Sequence, residues 1–311
     1  MDIQKNIQLA AFTTFKIGGP AKEFVVVKNK AELVEALQYA RQEYLPYYIL
    51  GGGSNIFFDD RGFDGLVIKL AGDREMKLTT ENGIYAWAGE NLGSVVNFAK
   101  ENGLSGMESL AGIPGTLGGA ARGNAGAFGT SMSDLVEAVE VIDTDSLEIK
   151  TLRVDECHFA YRLSLFKEST QFIVLTVELK LQAGEREVIE GKIKEVIRQR
   201  SEKQPTGWVG CAGSFFENPR VDKPELIVRF EKETGVKSQN GKVPAGWLIG
   251  EAGLKGRRIG GIEVNEKHAN FVVNIGGATA QDLVMMASFI KQQVRDDLGV
   301  QLKEEVMFIG Y

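Results

Sequence analysis

Glycine is concentrated in one short stretch of this chain. Seven of the eighteen positions from 112 to 129 are glycine, in the segment GIPGTLGGAARGNAGAFG. Each glycine loses more backbone entropy on folding than other residues do, so such density is costly. It is typical of backbone that lies against a flat or phosphorylated ligand, with tight packing as the alternative. We therefore expect the fold to place this block against a ligand.

A second glycine run, Gly51-Gly52-Gly53-Ser54-Asn55, directly follows an apolar segment at 47–50 that is predicted to be a strand. Consecutive N–H groups without Cβ atoms can form a concave anion nest, which suits a pyrophosphate. A Rossmann fingerprint would continue into an amphipathic helix, whereas 56–62 is typical of a strand and a turn. The Rossmann fold is therefore disfavoured, and a plain hairpin turn stays open as the alternative.

The order of the predicted elements suggests several domains. A strand at 23–27, a helix with Leu33, Leu37, Ala40 and Tyr44 at helical spacing behind an Asn29 cap, and the strand at 47–50 form a β-α-β-like opening. A charged helix ends near Arg200, and a capped helix is predicted at 281–298 behind Thr279. A chain of 311 residues is too long to fold around one hydrophobic core. We therefore expect three domains, at 1–70, 71–200 and 201–311.

Composition excludes several classes of function. With 43% apolar and 25% charged residues the chain has ordinary globular composition, and its net charge of −6 comes from interspersed charges. We expect no nucleic-acid partner and no membrane insertion, and any bound phosphate has to be met by local groups. Two cysteines and two histidines at unpaired spacings argue against a disulfide framework and a metal site. Because no export signal is visible, we expect a cytoplasmic protein.

Three further segments are individually weak signals. They are Tyr161-Arg162-Leu163-Ser164, the stretch 212–219 that contains Ser214, and the stretch 302–306 that contains Glu305. An arginine beside a tyrosine is usually a surface or structural residue. A serine after glycine usually belongs to a turn, and a late glutamate is usually solvated. Only their combination and order add information.

Taken together and in this order, the two glycine segments and the three weaker segments resemble the UDP-N-acetylenolpyruvoylglucosamine reductase family. The similarity runs from about Thr13 to Gly310, nearly the whole chain. After Tyr161-Arg162, Phe166 leads almost at once to a predicted strand at 172–181. The chain thus resembles the short branch of the family, which lacks an insertion carrying a substrate-capping tyrosine.

The resemblance implies an α+β fold with noncovalently bound FAD. The expected architecture is an FAD-binding fold of the vanillyl-alcohol-oxidase type, with two α+β subdomains at 1–70 and 71–200, and a C-terminal α+β substrate-binding domain at 201–311. The FAD pyrophosphate would lie on the backbone of the first glycine run. The family positions that hold FAD match Gly51, Gly52, Gly53, Ser54, Asn55, Thr116, Asn124 and Gly129.

The same resemblance matches Arg162, Ser214 and Glu305 to the three catalytic positions. Hydride transfer to C3 of an enolpyruvyl group builds negative charge on C2 and its carboxylate, and this charge needs preorganised cations or acids. Arg162 would bind the carboxylate with its fork of N–H groups. Ser214 would protonate C2, and Glu305 would assist as an acid or through a water.

Substrate contacts are expected at Tyr161, Arg200, Lys203, Asn218, Lys242, Lys255 and His268. Arg200, Lys203, Lys242 and Lys255 are candidates for binding the diphosphate of a UDP-sugar, while a structural histidine is the alternative for His268. NADPH as co-substrate is implied by the resemblance alone. The sequence leaves the oligomeric state open, and we expect a monomer.

Two other functions compete with this reductase. A flavin oxidase of the same superfamily, acting on an alcohol or sugar with dioxygen, often tethers its flavin through a histidine near the first glycine run, but no histidine precedes His158 here. A noncatalytic module that binds a sugar nucleotide or flavin would contain the same folds without turnover. Replacing Ser214 separates this module from an enzyme.

Overall fold

The computed structural model describes residues 1–72, 76–79, 82–204 and 210–310, and the side chain of Lys203 lies outside this description. The α-helices are α1 (Lys30–Gln42), α2 (Leu92–Glu101), α3 (Leu117–Arg122), α4 (Leu165–Glu168), α5 (Arg186–Lys203), α6 (Pro224–Thr234), α7 (Ala245–Glu251) and α8 (Ala280–Leu298). Short 3₁₀ turns lie at Leu9–Phe12, Glu108–Leu110, Met132–Asp134 and Val154–Cys157. Within the described residues, every helix is too short or too polar to cross a bilayer.

The strands follow the same chain order. They are β1 (Gln4–Gln8), β2 (Pro20–Val27), β3 (Tyr47–Leu50), β4 (Ile56–Phe58), β5 (Phe63–Leu70), β6 (Met76–Leu78), β7 (Gly83–Trp87), β8 (Leu104–Ser105), β9 (Gly126–Ala127), β10 (Thr130–Ser131), β11 (Val136–Asp143), β12 (Ile149–Arg153), β13 (Phe172–Lys180), β14 (Gln182–Ala183), β15 (Gly210–Ser214), β16 (Arg258–Ile259), β17 (Ile262–Val264), β18 (Phe271–Asn274) and β19 (Met307–Ile309).

Contacts between Cα atoms divide the chain into two compact units. Unit 1 contains residues 1–7, 21–52 and 64–201, and unit 2 contains residues 8–20, 53–63 and 202–311. The second glycine-rich block thus lies in unit 1, while the first glycine run is divided between the units after Gly52. The division into domains at 1–70, 71–200 and 201–311 stays a prediction.

One sheet of unit 1 has the strand order β1-β2-β5-β3. Its strands β3 and β5 are parallel, with Leu50 beside Lys69. Helix α1 connects β2 to β3, and its buried residues Leu33, Leu37 and Ala40 form the predicted apolar stripe. The side chain of Asn29 caps α1 by accepting a hydrogen bond from the N–H of Glu32 over 3.0 Å, as predicted.

The prediction that Tyr44 continues this stripe is wrong. Helix α1 ends at Gln42, and Tyr44 is 93% exposed at a φ of 53°. The N–H of Leu45 instead bonds the carbonyl of Ala40 over 2.9 Å, which closes the helix and turns the chain toward β3.

The other large sheet of unit 1 is antiparallel, with the order β12-β11-β13-β7-β6. Helix α3, inside the glycine-rich block, packs on β13 and β7. Trp87 of β7 is fully buried and donates its indole N–H to the carbonyl of Ala71 over 2.9 Å. A single buried cluster, which includes Leu117 of α3 and Leu175 of β13, therefore fixes the glycine-rich block on this sheet.

Unit 2 is built on the antiparallel sheet β15-β18-β17-β16 and the parallel pair β19-β4. Helix α8 has the predicted capping box between Thr279 and Asp282. The carboxylate of Asp60 also accepts the N–H of Ala280 over 2.9 Å. The core of this unit combines Phe15 and Phe57 with residues from the C-terminal part of the chain, so residues 8–20 and 53–63 are structural parts of unit 2.

Candidate active site

The two glycine segments are packed against each other in unit 1. A Cβ atom added to Gly51 would lie 2.7 Å from Oγ1 of Thr116, and one added to Gly52 would lie 2.5 Å from Cα of Gly115. At Gly52 the neighbouring atoms are backbone atoms, so only glycine allows this approach, while Gly51 packs on the side chain of Thr116. The fold therefore brings together the two segments that the sequence predicted to bind FAD.

The rest of the first glycine run lies in unit 2. Gly53 has a φ of 63°, and a Cβ atom there would lie 1.9 Å from the carbonyl oxygen of Phe12. Ser54 and Asn55 are half-buried. The side-chain amide of Asn55 donates to the backbone carbonyl of Glu305 over 3.0 Å. A predicted FAD residue and a predicted catalytic residue are thus neighbours in this unit.

Thr116 and Asn124 organise the second glycine block. Thr116 caps α3, since its hydroxyl accepts the N–H of Gly119 over 3.3 Å. Asn124 is 5% exposed and donates its amide to the carbonyl of Ala160 over 2.8 Å. Gly129, the last residue of the block, has a φ of 86°, and a Cβ there would meet no atom within 4 Å. The block is thus held by two buried residues, Thr116 and Asn124, while Gly129 at its end has open space beside it.

Arg162 lies in a tight turn next to the glycine block. The turn is closed by two hydrogen bonds between the backbones of Ala160 and Leu163, at 3.0 and 3.1 Å, and Arg162 has a φ of 57°. Its guanidinium donates through Nη2 to the carbonyl of Gly126 over 3.2 Å and lies 5.4 Å from the ring centroid of Tyr161. These contacts hold the half-buried cation in a fixed direction.

Arg200, at the C-terminal end of α5, also contacts the glycine block. Its Nη2 donates to the carbonyl of Ser109 over 3.2 Å, and its guanidinium lies 5.4 Å from the ring centroid of Phe128. Arg200 Nε and Ser109 Oγ are buried without a hydrogen-bond partner in the described part of the chain. Burial lowers the pKa of Arg200. Lys203, which was predicted together with Arg200 to bind the diphosphate, has its side chain outside the described residues.

In unit 2 the backbone holds the segments of Ser214 and Glu305 side by side. The N–H of Glu305 donates to the carbonyl of Phe215 over 2.9 Å. Ser214 ends β15 after an irregularity in the β15–β18 pairing, at which Gly213 has a φ of 74°. Such irregularities re-aim a side chain next to a strand end. Two of the three predicted catalytic residues are therefore neighbours in one unit.

Asn270 fixes the segment that follows Ser214. It is 2% exposed, its Oδ1 accepts the N–H of Phe216 over 2.9 Å, and its Nδ2 donates to the carbonyl of Phe216 over 2.9 Å. Its own backbone carbonyl accepts the N–H of Phe215 over 2.8 Å. Asn270 was not among the predicted site residues, since an asparagine just before β18 offers no local signal of this clamp.

Three of the predicted substrate residues of unit 2 lie against helix α7. Asn218 Oδ1 accepts the N–H of Ala245, the first residue of α7, over 3.0 Å. A Cβ atom on Gly246 would lie 3.2 Å from Cε1 of His268, and one on Gly250 would lie 3.3 Å from Cε of Lys255. A fourth residue, Lys242, precedes α7 and pairs with Arg220 and Gln239 in isolated bridges.

His268 stands out among these residues. Its Nδ1 is buried without a hydrogen-bond partner in the described residues. Burial lowers the pKa of His268, and the positive charge of Lys255 lowers it further. A neutral imidazole with an unused polar atom beside a lysine can hydrogen-bond to a ligand group.

The residues of both glycine segments fit FAD. Gly51 and Gly52 approach Gly115 and Thr116 so closely that no Cβ is tolerated, while the N–H groups of Gly51 and Gly52 have no acceptor within the described part of the chain. Exposed backbone N–H groups without side chains are the donors that a diphosphate requires.

Comparison with known proteins agrees with this geometry. A model of the FAD binding domain family matches residues 21–151. This chain is therefore a flavoprotein with an FAD-binding domain, as the resemblance implied, while the vanillyl-alcohol-oxidase type of that domain stays a prediction. A model described as the C-terminal domain of UDP-N-acetylenolpyruvoylglucosamine reductase matches residues 204–309. The chain belongs to the UDP-N-acetylenolpyruvoylglucosamine reductase family, which confirms the resemblance.

Relatives match over nearly their full length. The UDP-N-acetylenolpyruvoylglucosamine reductase of Solibacter usitatus is 37% identical over 309 residues, covering 99% of this chain and 97% of the relative. That of Caldanaerobacter subterraneus is 38% identical and covers 98% of this chain and 93% of the relative. The crystal structure of the Thermus caldophilus reductase has a TM-score of 0.77 and 34% identity, and covers 99% of both chains.

Proposed function

We propose that this chain reduces UDP-N-acetylglucosamine enolpyruvate to UDP-N-acetylmuramate with NADPH, a step of peptidoglycan precursor synthesis on which cell-wall biogenesis, cell shape and division depend. Membership of the reductase family supports the reaction. The observation that carries the site assignment is the hydrogen bond of 2.9 Å from the Glu305 N–H to the Phe215 carbonyl, which keeps Glu305 next to the Ser214 segment.

The first glycine run and the second block would hold FAD noncovalently. The proposed residues are Gly51, Gly52, Gly53, Ser54, Asn55, Thr116, Asn124 and Gly129. FAD bound there would supply the hydride-transfer chemistry between NADPH and C3 of the enolpyruvyl group. The glycine backbones would bind the diphosphate, and the anchored Asn124 would keep the second block in position.

Arg162 would bind the substrate carboxylate. Hydride addition at C3 leaves negative charge on C2 and the carboxylate, and a guanidinium can neutralise it through two parallel hydrogen bonds. Because Gly126 and Tyr161 already restrain the guanidinium, little reorganisation is needed when the charge develops.

Ser214 would donate its hydroxyl proton to C2, which completes the addition of one hydride and one proton across the double bond. A hydroxyl is a weak acid, and it can serve here because the anion formed at C2 is strongly basic. Glu305 would stabilise the enolate charge as a protonated acid or through a bound water, and solvent would then restore the serine proton.

The substrate contacts proposed are Asn218, Lys242, Lys255 and His268 in unit 2, with Tyr161, Arg200 and Lys203. The cationic members would bind the diphosphate, which the net charge of −6 would otherwise repel.

A cytoplasmic location and a monomeric state are part of the proposal. Size-exclusion chromatography with light scattering tests the second point, and a dimeric mass would overturn it.

Anaerobic absorbance of the purified protein tests the reaction. We expect an oxidised flavin spectrum that bleaches with NADPH and returns when UDP-N-acetylglucosamine enolpyruvate is added. A protein that binds no flavin after reconstitution, or a reduced flavin that ignores this substrate, would overturn the proposal. NADH in place of NADPH tests the co-substrate.

Ser214→Ala tests the proton donor and separates an enzyme from a noncatalytic binding module. Flavin reduction by NADPH should persist, while substrate turnover should fall by about 10²- to 10⁴-fold, the usual contribution of general acid catalysis. Ser94→Ala, an exposed serine on α2, is the matched control. Unchanged turnover in Ser214→Ala would remove Ser214 as the acid.

A further inference from the structure

Lys69 places a half-buried ammonium group directly behind the first glycine run. It lies on β5, beside Leu50 of β3, and its Nζ donates to the carbonyl of Gly51 over 2.7 Å and to that of Leu70 over 3.2 Å. Neither the predicted FAD residues nor the predicted substrate residues include it, because its position depends on the register of two strands that are separated in sequence.

The partners of this ammonium are carbonyl oxygens. Burial alone lowers the pKa of Lys69, with no contribution from a carboxylate of the described residues. Removing an ammonium from water is costly unless it is compensated by an opposite charge or by strong hydrogen bonds. The two carbonyl hydrogen bonds stabilise this ammonium without neutralising it, so its positive charge remains available to an anion bound at the glycine run.

The hydrogen bond to Gly51 also fixes the direction of the next N–H group. Cis peptide bonds are absent from the described residues, so the carbonyl of Gly51 and the N–H of Gly52 point in opposite directions. Lys69 holds the carbonyl, and the N–H of Gly52 therefore points away from Lys69. This N–H meets no acceptor within the described residues.

The peptide between Gly51 and Gly52 is held on its other side as well. Both glycines pack on Gly115 and Thr116 without room for a Cβ atom, so rotation of this peptide is restricted. A cation bound to the carbonyl end of a peptide polarises it and makes its N–H a stronger donor. The Gly51–Gly52 peptide therefore combines an oriented N–H donor with the positive charge of Lys69 at its carbonyl.

We propose that Lys69 is a positioning residue for the FAD diphosphate, which orients and polarises the Gly51–Gly52 peptide so that its N–H binds the anion. This inference rests on FAD binding in the proposed function, and on no step of catalysis. It predicts that the charge of Lys69 contributes to the affinity for a flavin that carries a diphosphate, and has little effect on a flavin without phosphate.

The test uses the full-length apoprotein and its Lys69→Met and Lys69→Gln variants. Binding of FAD and of riboflavin is followed by flavin fluorescence, and thermal unfolding is measured without flavin. We expect Lys69→Met to weaken FAD binding by about tenfold or more. Riboflavin binding and the unfolding temperature should match the wild type. Lys69→Gln, which keeps a donor without the charge, should weaken FAD less.

Lys28→Met is the matched control, since it removes an exposed lysine from the same unit. The inference is overturned if both Lys69 variants bind FAD as the wild type does, or if FAD and riboflavin are weakened alike, which would indicate a purely structural lysine. A wild-type protein that binds no FAD would instead contradict the proposed function.

Discussion

The guanidinium of Arg162 donates a hydrogen bond through Nη2 to the backbone carbonyl of Gly126, over 3.2 Å. Gly126 belongs to the glycine-rich block, so the proposed carboxylate-binding residue and the proposed flavin-binding backbone are hydrogen-bonded to each other within unit 1. The turn that carries Arg162 is also tied to the block through Asn124, which donates to Ala160 over 2.8 Å. Neither link involves residues adjacent in sequence.

Arg162→Lys should lower the rate of substrate reduction by about hundredfold while leaving flavin reduction by NADPH unchanged. Lysine keeps the charge, but it cannot make two parallel hydrogen bonds to a carboxylate, and it loses the restraint by Gly126 and Tyr161. Stopped-flow absorbance measures the two half-reactions separately. Arg153→Lys, on an exposed strand residue, is the control. Flavin reoxidation by substrate at the wild-type rate would show that Arg162 does not bind the carboxylate.

Gly52→Ala should destabilise the protein and weaken FAD binding. The added Cβ would lie 2.5 Å from Cα of Gly115, a distance that forces the two glycine segments apart. We expect the free energy of unfolding to fall by about 1–3 kcal/mol, as for other overpacked sites.

Gly191→Ala is the matched control for this prediction. Gly191 lies within α5, and a Cβ there would meet no atom within 4 Å, so this change should stabilise the protein by about 0.5–1 kcal/mol. Urea denaturation of the two apoproteins gives the comparison. Equal stabilities of Gly52→Ala and the wild type would mean that the glycine segments do not need their close contact.

Local sequence signals predicted much of the secondary structure. The Thr279 cap of α8 and the Asn29 cap and apolar stripe of α1 depend on residues three or four positions apart, and the structure contains them apart from Tyr44. The grouping of residues 8–20 and 53–63 with the C-terminal unit had no such signal. It depends on β4 pairing with β19, in which Phe57 lies beside Phe308.

The candidate site shows the same limit. Glycine content and motif order identified the segments that contain Gly51, Arg162 and Ser214, because residue type alone indicates their chemistry. Lys69 and Asn270 act through backbone groups of other segments, at Gly51 and Phe216. Contacts of this kind depend on strand register, which composition and periodicity do not specify.

Asn270→Ala should lower the free energy of unfolding by about 2–4 kcal/mol, since it leaves the N–H and carbonyl of Phe216 buried without their partners. Substrate turnover should fall as well, because Ser214 lies two residues before Phe216. Urea denaturation and steady-state kinetics measure the two effects. Asn97→Ala, an exposed change on α2, should alter stability by no more than about 0.5 kcal/mol. A variant as stable as the control would mean that water replaces the clamp.

Stability at acidic pH should depend on His268, whose pKa is lowered in the folded protein by burial and by the charge of Lys255. The unfolded chain then binds a proton near the ordinary histidine pKa of 6.5 while the folded chain does not. The neutral form contributes its full stability above that pH, and the contribution is lost as the pH falls toward the lower folded pKa. The slope within this window is at most about 1.4 kcal/mol per pH unit.

His268→Gln should reduce this loss of stability, which urea denaturation between neutral and mildly acidic pH will show. Lys255→Met should raise the pKa of His268, because it removes the positive charge that disfavours protonation. NMR titration of the imidazole signals measures this shift directly, and the chain has only two histidines, so His158→Gln completes the assignment. If the His268 signal titrates at the same pH with and without Lys255, the two side chains do not interact as the structure places them, and Lys255 would lose its support as a partner of His268 in substrate binding.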